Sequence, residues 1–155
     1  MAKYITPTLT ITSNKFDATT NPGPTSSPLA ISVTDTLDVT QVDSNIVTVA
    51  TTDAVLLTAT NYTSGTDAGT DGAFVFLKNL TEGLTVAPNI FIGHNPTGDG
   101  ELQDSGAADE DRLMTLKPGE FAFFPWDLEG DLHVDASAAA DDALEVIVFV
   151  RTGTA

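Results

Sequence analysis

Apolar and polar residues alternate with period two along most of this chain. Ile5, Pro7, Leu9 and Ile11 alternate with Thr6, Thr8, Thr10 and Thr12, which predicts a strand with one apolar face. Leu29, Ile31 and Val33 resume the pattern, and Leu37, Val39 and Val42 continue it. Two short apolar runs follow at 46–49 and 55–58. Phe74-Val75-Phe76-Leu77 is apolar on both faces, the mark of a central strand. Runs at 90–92, 113–116, 121–126, 132–136 and 144–150 complete the series. No amphipathic helical spacing persists over 11–18 residues. Eight to ten short strands with frequent turn signals predict an all-β fold: a single-domain antiparallel β-sandwich spanning 1–155, jelly-roll-like.

The punctuation between strands is informative. Residues 13–28, with Asn21-Pro22-Gly23-Pro24 at their centre, are too rich in Pro, Gly, Ser and Thr for a helix or central strand and read as a loop or an arm. Residues 61–72 and 93–111 read as polar loops. Lys117-Pro118-Gly119-Glu120 carries Pro and Gly at the second and third turn positions, a type II signature. Type II twist suits a tight hairpin poorly, so a corner is expected there. Pro125 has no N–H to donate, which puts its strand at an edge or ends it.

Composition narrows the function classes. The chain has 155 residues, 41% hydrophobic, enough for an ordinary core. It has no Cys, which excludes disulfides, thiolate metal sites and cysteine catalysis. No apolar run approaches the 18 residues of a membrane-spanning helix. The start, Met1-Ala2-Lys3-Tyr4-Ile5, lacks a signal-peptide pattern, so synthesis in a cytoplasm without export by that route is expected. Threonine is abundant, with 24 residues, and suits the solvent face of half-buried sheets.

Net charge is −16, from 22 acids against 6 bases. Such a surface repels phosphate backbones and anionic lipid, so neither nucleic acid nor a membrane is expected as a partner. Of the 22 acids, 14 lie between Asp99 and Glu145, where only Arg112 and Lys117 offset them. The 99–111 stretch could offer oxygens to a cation, but the EF-hand spacing fails: its sixth position is Asp104 instead of Gly. A solvated acidic loop is the simpler reading.

Catalytic patterns are scarce. The two histidines, His94 and His133, form no HxH or HxxxH pair, and no GxSxG, GxGxxG or phosphate loop occurs. Gly119, Pro125, Gly130 and His133 loosely resemble the second motif of the metal-binding cupins, themselves jelly rolls, while the first cupin motif is absent. A cupin-like metal site is therefore an alternative of another class. A carbohydrate-binding sandwich with exposed aromatics is a further one. Asn61-Tyr62-Thr63 and Asn79-Leu80-Thr81 match the glycosylation sequon by pattern alone. No catalytic, metal-ligating or cofactor-binding residue is assigned.

The densest aromatic cluster is Phe121, Phe123, Phe124 and Trp126. On a strand, Phe121 and Phe123 share one face, and Phe124 and Trp126 the other. A sandwich core takes one face. The second needs a covering loop or another subunit, which makes these four residues interface candidates. Trp126 is expected either at a contact between copies or beneath the 93–111 loop.

Phe76-Leu77-Lys78-Asn79, Asn89-Ile90-Phe91-Ile92-Gly93 and the run from Arg112 through Leu116-Lys117-Pro118-Gly119-Glu120-Phe121 to Pro125-Trp126 resemble small virion structural proteins of marine tailed bacteriophages, described as structural or decoration proteins. The resemblance covers roughly 74–150. It implies a non-enzymatic capsid decoration (cement) protein on the outside of the virion, made in the host cytoplasm. Its implied partners are the major capsid protein and copies of itself, as a homotrimer. A tail or fibre component is the alternative within the same class.

Overall fold

Where the chain alternates, the strands form, and the burial of successive residues shows which face won. The structure is a computed structural model and describes residues 3–12, 30–63, 72–94, 102 and 112–151. The 13–28 loop or arm and the 99–111 acidic stretch, Leu102 apart, lie outside the described residues. The chain divides into two compact units, Met1–Val39 and Thr40–Ala155.

In the first unit, β1 (Lys3–Ile5) pairs antiparallel with the start of β4 (Leu37–Val49), Ile5 opposite Leu37. β2 (Thr8–Thr12) pairs with β3 (Ala30–Thr34), Leu9 opposite Val33. The alternation at 5–12 is thus two strands, split at Pro7, whose carbonyl accepts the Asp35 N–H at 3.2 Å. Leu9 and Val33 are exposed.

The second unit holds the rest of β4, then β5 (Ala54–Leu57), a 3-10 turn (Ala59–Asn61), β6 (Gly72–Asn79), β7 (Ile90–Gly93), β8 (Arg112–Leu116), β9 (Phe121–Trp126), β10 (Leu132–Ala136) and β11 (Ala140–Arg151). Among the described residues eleven strands form, more than the eight to ten expected. The runs at 37–42 and 46–49 fuse into one strand, because the polar residues between them alternate with the rest and keep the ladder going.

Within the second unit two sheets run β4-β11-β6-β9 and β5-β10-β7-β8. Along the chain, β4 enters the first sheet, β5 the second, β6 the first, β7 and β8 the second, β9 the first, β10 the second and β11 the first. This interleaving of two four-stranded sheets is jelly-roll topology. The apolar β6 is a central strand, between β11 and β9, and the Pro125 strand β9 is an edge strand, both as its sequence requires.

The core lies between the sheets. Val75, Leu77, Leu144, Val146 and Val148 face it from the first sheet, and Ile90, Ile92, Leu116, Leu132 and Val134 from the second. The corner from β8 to β9 changes sheets. Gly119 takes φ 80°, which type II geometry demands at its third position, and the Glu120 N–H reaches the Lys117 carbonyl at 2.9 Å.

Asn79, fully buried at the end of β6, ties this corner to the core. Its Nδ2 donates to the carbonyls of Pro88 at 2.9 Å and Leu116 at 3.0 Å. Its Oδ1 accepts the Thr81 N–H at 3.0 Å and the Thr81 hydroxyl at 2.6 Å. Its backbone bonds Glu120 and Gly119. The sequon at 79–81 is therefore a packing element, closed to modification in the folded chain. Among the described residues no helix is long and apolar enough to cross a membrane.

Candidate functional site

β9 separates the four aromatic candidates as alternation requires. Phe124 and Trp126 turn inward. Phe124 packs against the core, and Trp126, 6% exposed, belongs to it. The Tyr62 ring meets the Trp126 ring edge-on at 5.9 Å, and the indole N–H donates to the Gly130 carbonyl at 3.0 Å. Trp126 is a core residue of its own subunit, covered by Tyr62 on one side.

Phe121 and Phe123 turn outward and stay open, at 64% and 38% exposure. They do not stand alone. The outward positions of β6 are Phe74 and Phe76, and those of β11 are Ile147 and Phe149. Register places Phe76 beside Phe123 on one side and Ile147 on the other. Rings on neighbouring strands meet on the diagonal, Phe74 stacking on Phe123 at 5.3 Å and Phe76 on Phe121 at 6.0 Å, and across β6 Phe149 meets Phe123 edge-on at 6.2 Å. By the same alternation β4 adds exposed Val42 and Ile46. Five of the chain's eight Phe line this one outer face.

Charge on the face is sparse. Lys78 and Glu145 are register partners at the Phe121 end, and Arg151 lies at the other end with its guanidinium 5.5 Å from the Phe74 ring centre. Contiguous exposed apolar surface of this kind occurs at protein, membrane and ligand contacts. The sequence pointed to β9 alone. Phe74, Phe76, Ile147 and Phe149 were missed because only sheet order brings them beside it. Their signal was present, since β6 is apolar at both parities.

The polar groups are distributed otherwise. Nδ1 of His133 lies 2.8 Å from Oδ2 of Asp53, and Nδ1 of His94 donates to the Asp131 carbonyl at 3.0 Å. Among the described residues no group of three or more His, Asp or Glu gathers to hold a metal. The cupin-like residues each have another role: Gly119 makes the turn, Pro125 lies on the edge strand, and His133 pairs with Asp53. Gly130 leaves room for the His94 ring, which any Cβ there would strike. A cavity of about 390 Å³ opens at the β4–β5 end of the sandwich, lined by apolar Val47, Leu56 and Val146 with Asp43 and Tyr62 among its polar groups. Burial first, and the Asp43 charge second, push the Tyr62 phenol above its ordinary pKa, so it stays protonated at neutral pH.

No protein-family model matches the chain. No curated protein matches it. The chain is similar to a solved structure from Bacillus, an endospore appendage described as one of a novel family of disulfide-linked pili, with 13% identity and a TM-score of 0.41 over 99% of this chain and 92% of that one. The disulfide linkage belongs to that protein, since this chain has no cysteine.

Proposed function

We propose that this chain is a non-enzymatic virion structural protein, a capsid decoration protein that binds the outer surface of the major capsid shell. The observation that carries the reading is the open aromatic face of the β4-β11-β6-β9 sheet, a surface suited to protein neighbours. The sequence resemblance supplies the particle, and this face supplies a means of assembly with capsid subunits or with further copies. A net charge of −16 suits the outside of a particle and opposes a place against packaged DNA.

The test is location. Purified virions are fractionated into heads and tails, and the chain is identified by mass spectrometry and by immunogold labelling. It is expected on heads, accessible to antibody on intact particles. Absence from virions overturns the proposal, and confinement to tails replaces it with the tail or fibre reading.

A further inference from the structure

The aromatic face has one property that selects its partner. The chain carries −16, yet the outward positions of β6, β9 and the paired part of β11 carry Lys78 and Arg151 against Glu145, two bases less one acid, or +1. Two of the chain's six bases lie there. Elsewhere, two copies brought together oppose acid to acid, whereas on this face they oppose apolar rings with almost no like charge. A basic partner would be drawn to the acidic surface, and this face gives it nothing to recognise.

We infer that the occupant of this face is a second copy of the chain, packed sheet on sheet across a two-fold axis. The inference rests on the reading of the chain as an assembly subunit and departs from the three-fold that the sequence resemblance implies. Sheets pack face to face about 10 Å apart with interleaved apolar side chains. A two-fold contact makes one patch serve both sides. When the axis lies across the strands, the Arg151 end of one copy meets the Glu145 end of the other. Arg151 then stands over the other copy's Glu145, with Lys78 beside it, where an axis along the strands would set Arg151 against Arg151.

Area sets the strength. Four strands about 4.8 Å apart, each using roughly six residues at about 3.3 Å, give about 400 Å² per copy and about 800 Å² in total. Stable interfaces bury roughly 1,200 Å² or more. The dimer is therefore reversible and concentration-dependent, populated where copies are crowded together.

Sedimentation of the full chain from micromolar to millimolar concentration at physiological salt tests this. The mass is expected to rise from one chain to two. The double variant Phe121→Ser, Phe123→Ser is expected to weaken association roughly tenfold or more, with circular dichroism and melting retained. Arg151→Glu alone weakens it, and adding Glu145→Arg restores it, because the swap rebuilds the crossed pairs. A wild-type chain that stays monomeric at every concentration, a trimer, or a dimer indifferent to the Phe121 and Phe123 changes overturns the inference. Loss of the double variant from particles while the free wild-type chain never dimerises would assign the face to the capsid shell, and also overturns it. A dimer whose chain is absent from virions sinks the decoration reading alone.

Discussion

Two pairs of aromatic residues on one six-residue strand meet opposite fates. Phe124 and Trp126 close the inside of the sandwich; Phe121 and Phe123 cover its outside. Inside, the contacts are complete: Trp126 has a ring against it and an acceptor for its indole N–H. Outside, the rings touch one another, along a face on which Phe121 and Phe123 are exposed and Phe74, Phe76 and Phe149 half-buried. Composition alone would rank the four together as hydrophobic anchors. The difference lies in what stands opposite. The second sheet already supplies a partner layer for the inner pair, so those residues stabilise the fold, and the outer pair is left for association.

The comparison breaks if the inner residue is dispensable. Trp126→Ala removes a buried indole and leaves a cavity between the sheets, with an expected loss of about 3–5 kcal/mol of unfolding free energy. Chemical denaturation at a concentration where the chain is monomeric measures it. A cost below about 1 kcal/mol would mean that the ring is not packed as the core requires. Its fluorescence, from the chain's only Trp, is expected to be blue-shifted in the monomer and to stay so on association.

A second inner-face change reaches the corner that sends β9 into its sheet. Asn79→Ala leaves the Pro88 and Leu116 carbonyls and the Thr81 N–H without their partner in a site closed to water. Each such group costs about 1–3 kcal/mol when unmet, and partial relaxation brings the expected total to about 2–4 kcal/mol. Asn79→Asp is expected to be no milder, because a carboxylate cannot donate to two carbonyls. Thermal melting of both variants checks the order.

Asn79 also shows where sequence reading stops. The strands, the type II corner and the Pro125 edge follow from local rules: alternation, a Pro-Gly pair, a missing N–H. They were legible. Asn79 reads as a sequon and as the end of a resemblance run, but its bonds to the carbonyls of 88 and 116 appear only when the fold gathers those residues. The aromatic face is an intermediate case. Alternation divides the four β9 residues correctly, but it cannot say which side is the core. Phe74, Phe149 and Phe123 become one surface only because β9 and β11 flank β6. The partner of His133, Asp53, lies 80 positions away and has no local signal.

On the outer face the same kind of truncation is expected to do little to the monomer. Phe121→Ser and Phe123→Ser, measured singly by denaturation below the association range, should each shift stability by about 1 kcal/mol or less, the loss of one or two half-open ring contacts. A loss rivalling that of Trp126→Ala would erase the contrast between the faces and show that the outer rings are part of the fold's own packing.

The smallest effect sharpens the inner side. Tyr62 covers Trp126 but also borders the β4–β5 cavity, and its phenol pKa is raised, chiefly by burial and secondarily by the Asp43 charge. A phenol whose pKa is higher folded than unfolded contributes stability that is fully present below about pH 10, the ordinary phenol value, and is lost as pH rises through the folded value. The wild-type denaturation midpoint should therefore fall more steeply than that of Tyr62→Phe above pH 10, and the two slopes should agree from pH 7 to 9. Both variants share the lysine titrations, so the difference isolates this one ring. Asp43→Asn should keep most of the difference, because burial is the larger cause. If Asp43→Asn abolishes it, the inner aromatic pair is wetter than its packing against Trp126 implies, and the charge at the cavity rim sets the titration instead.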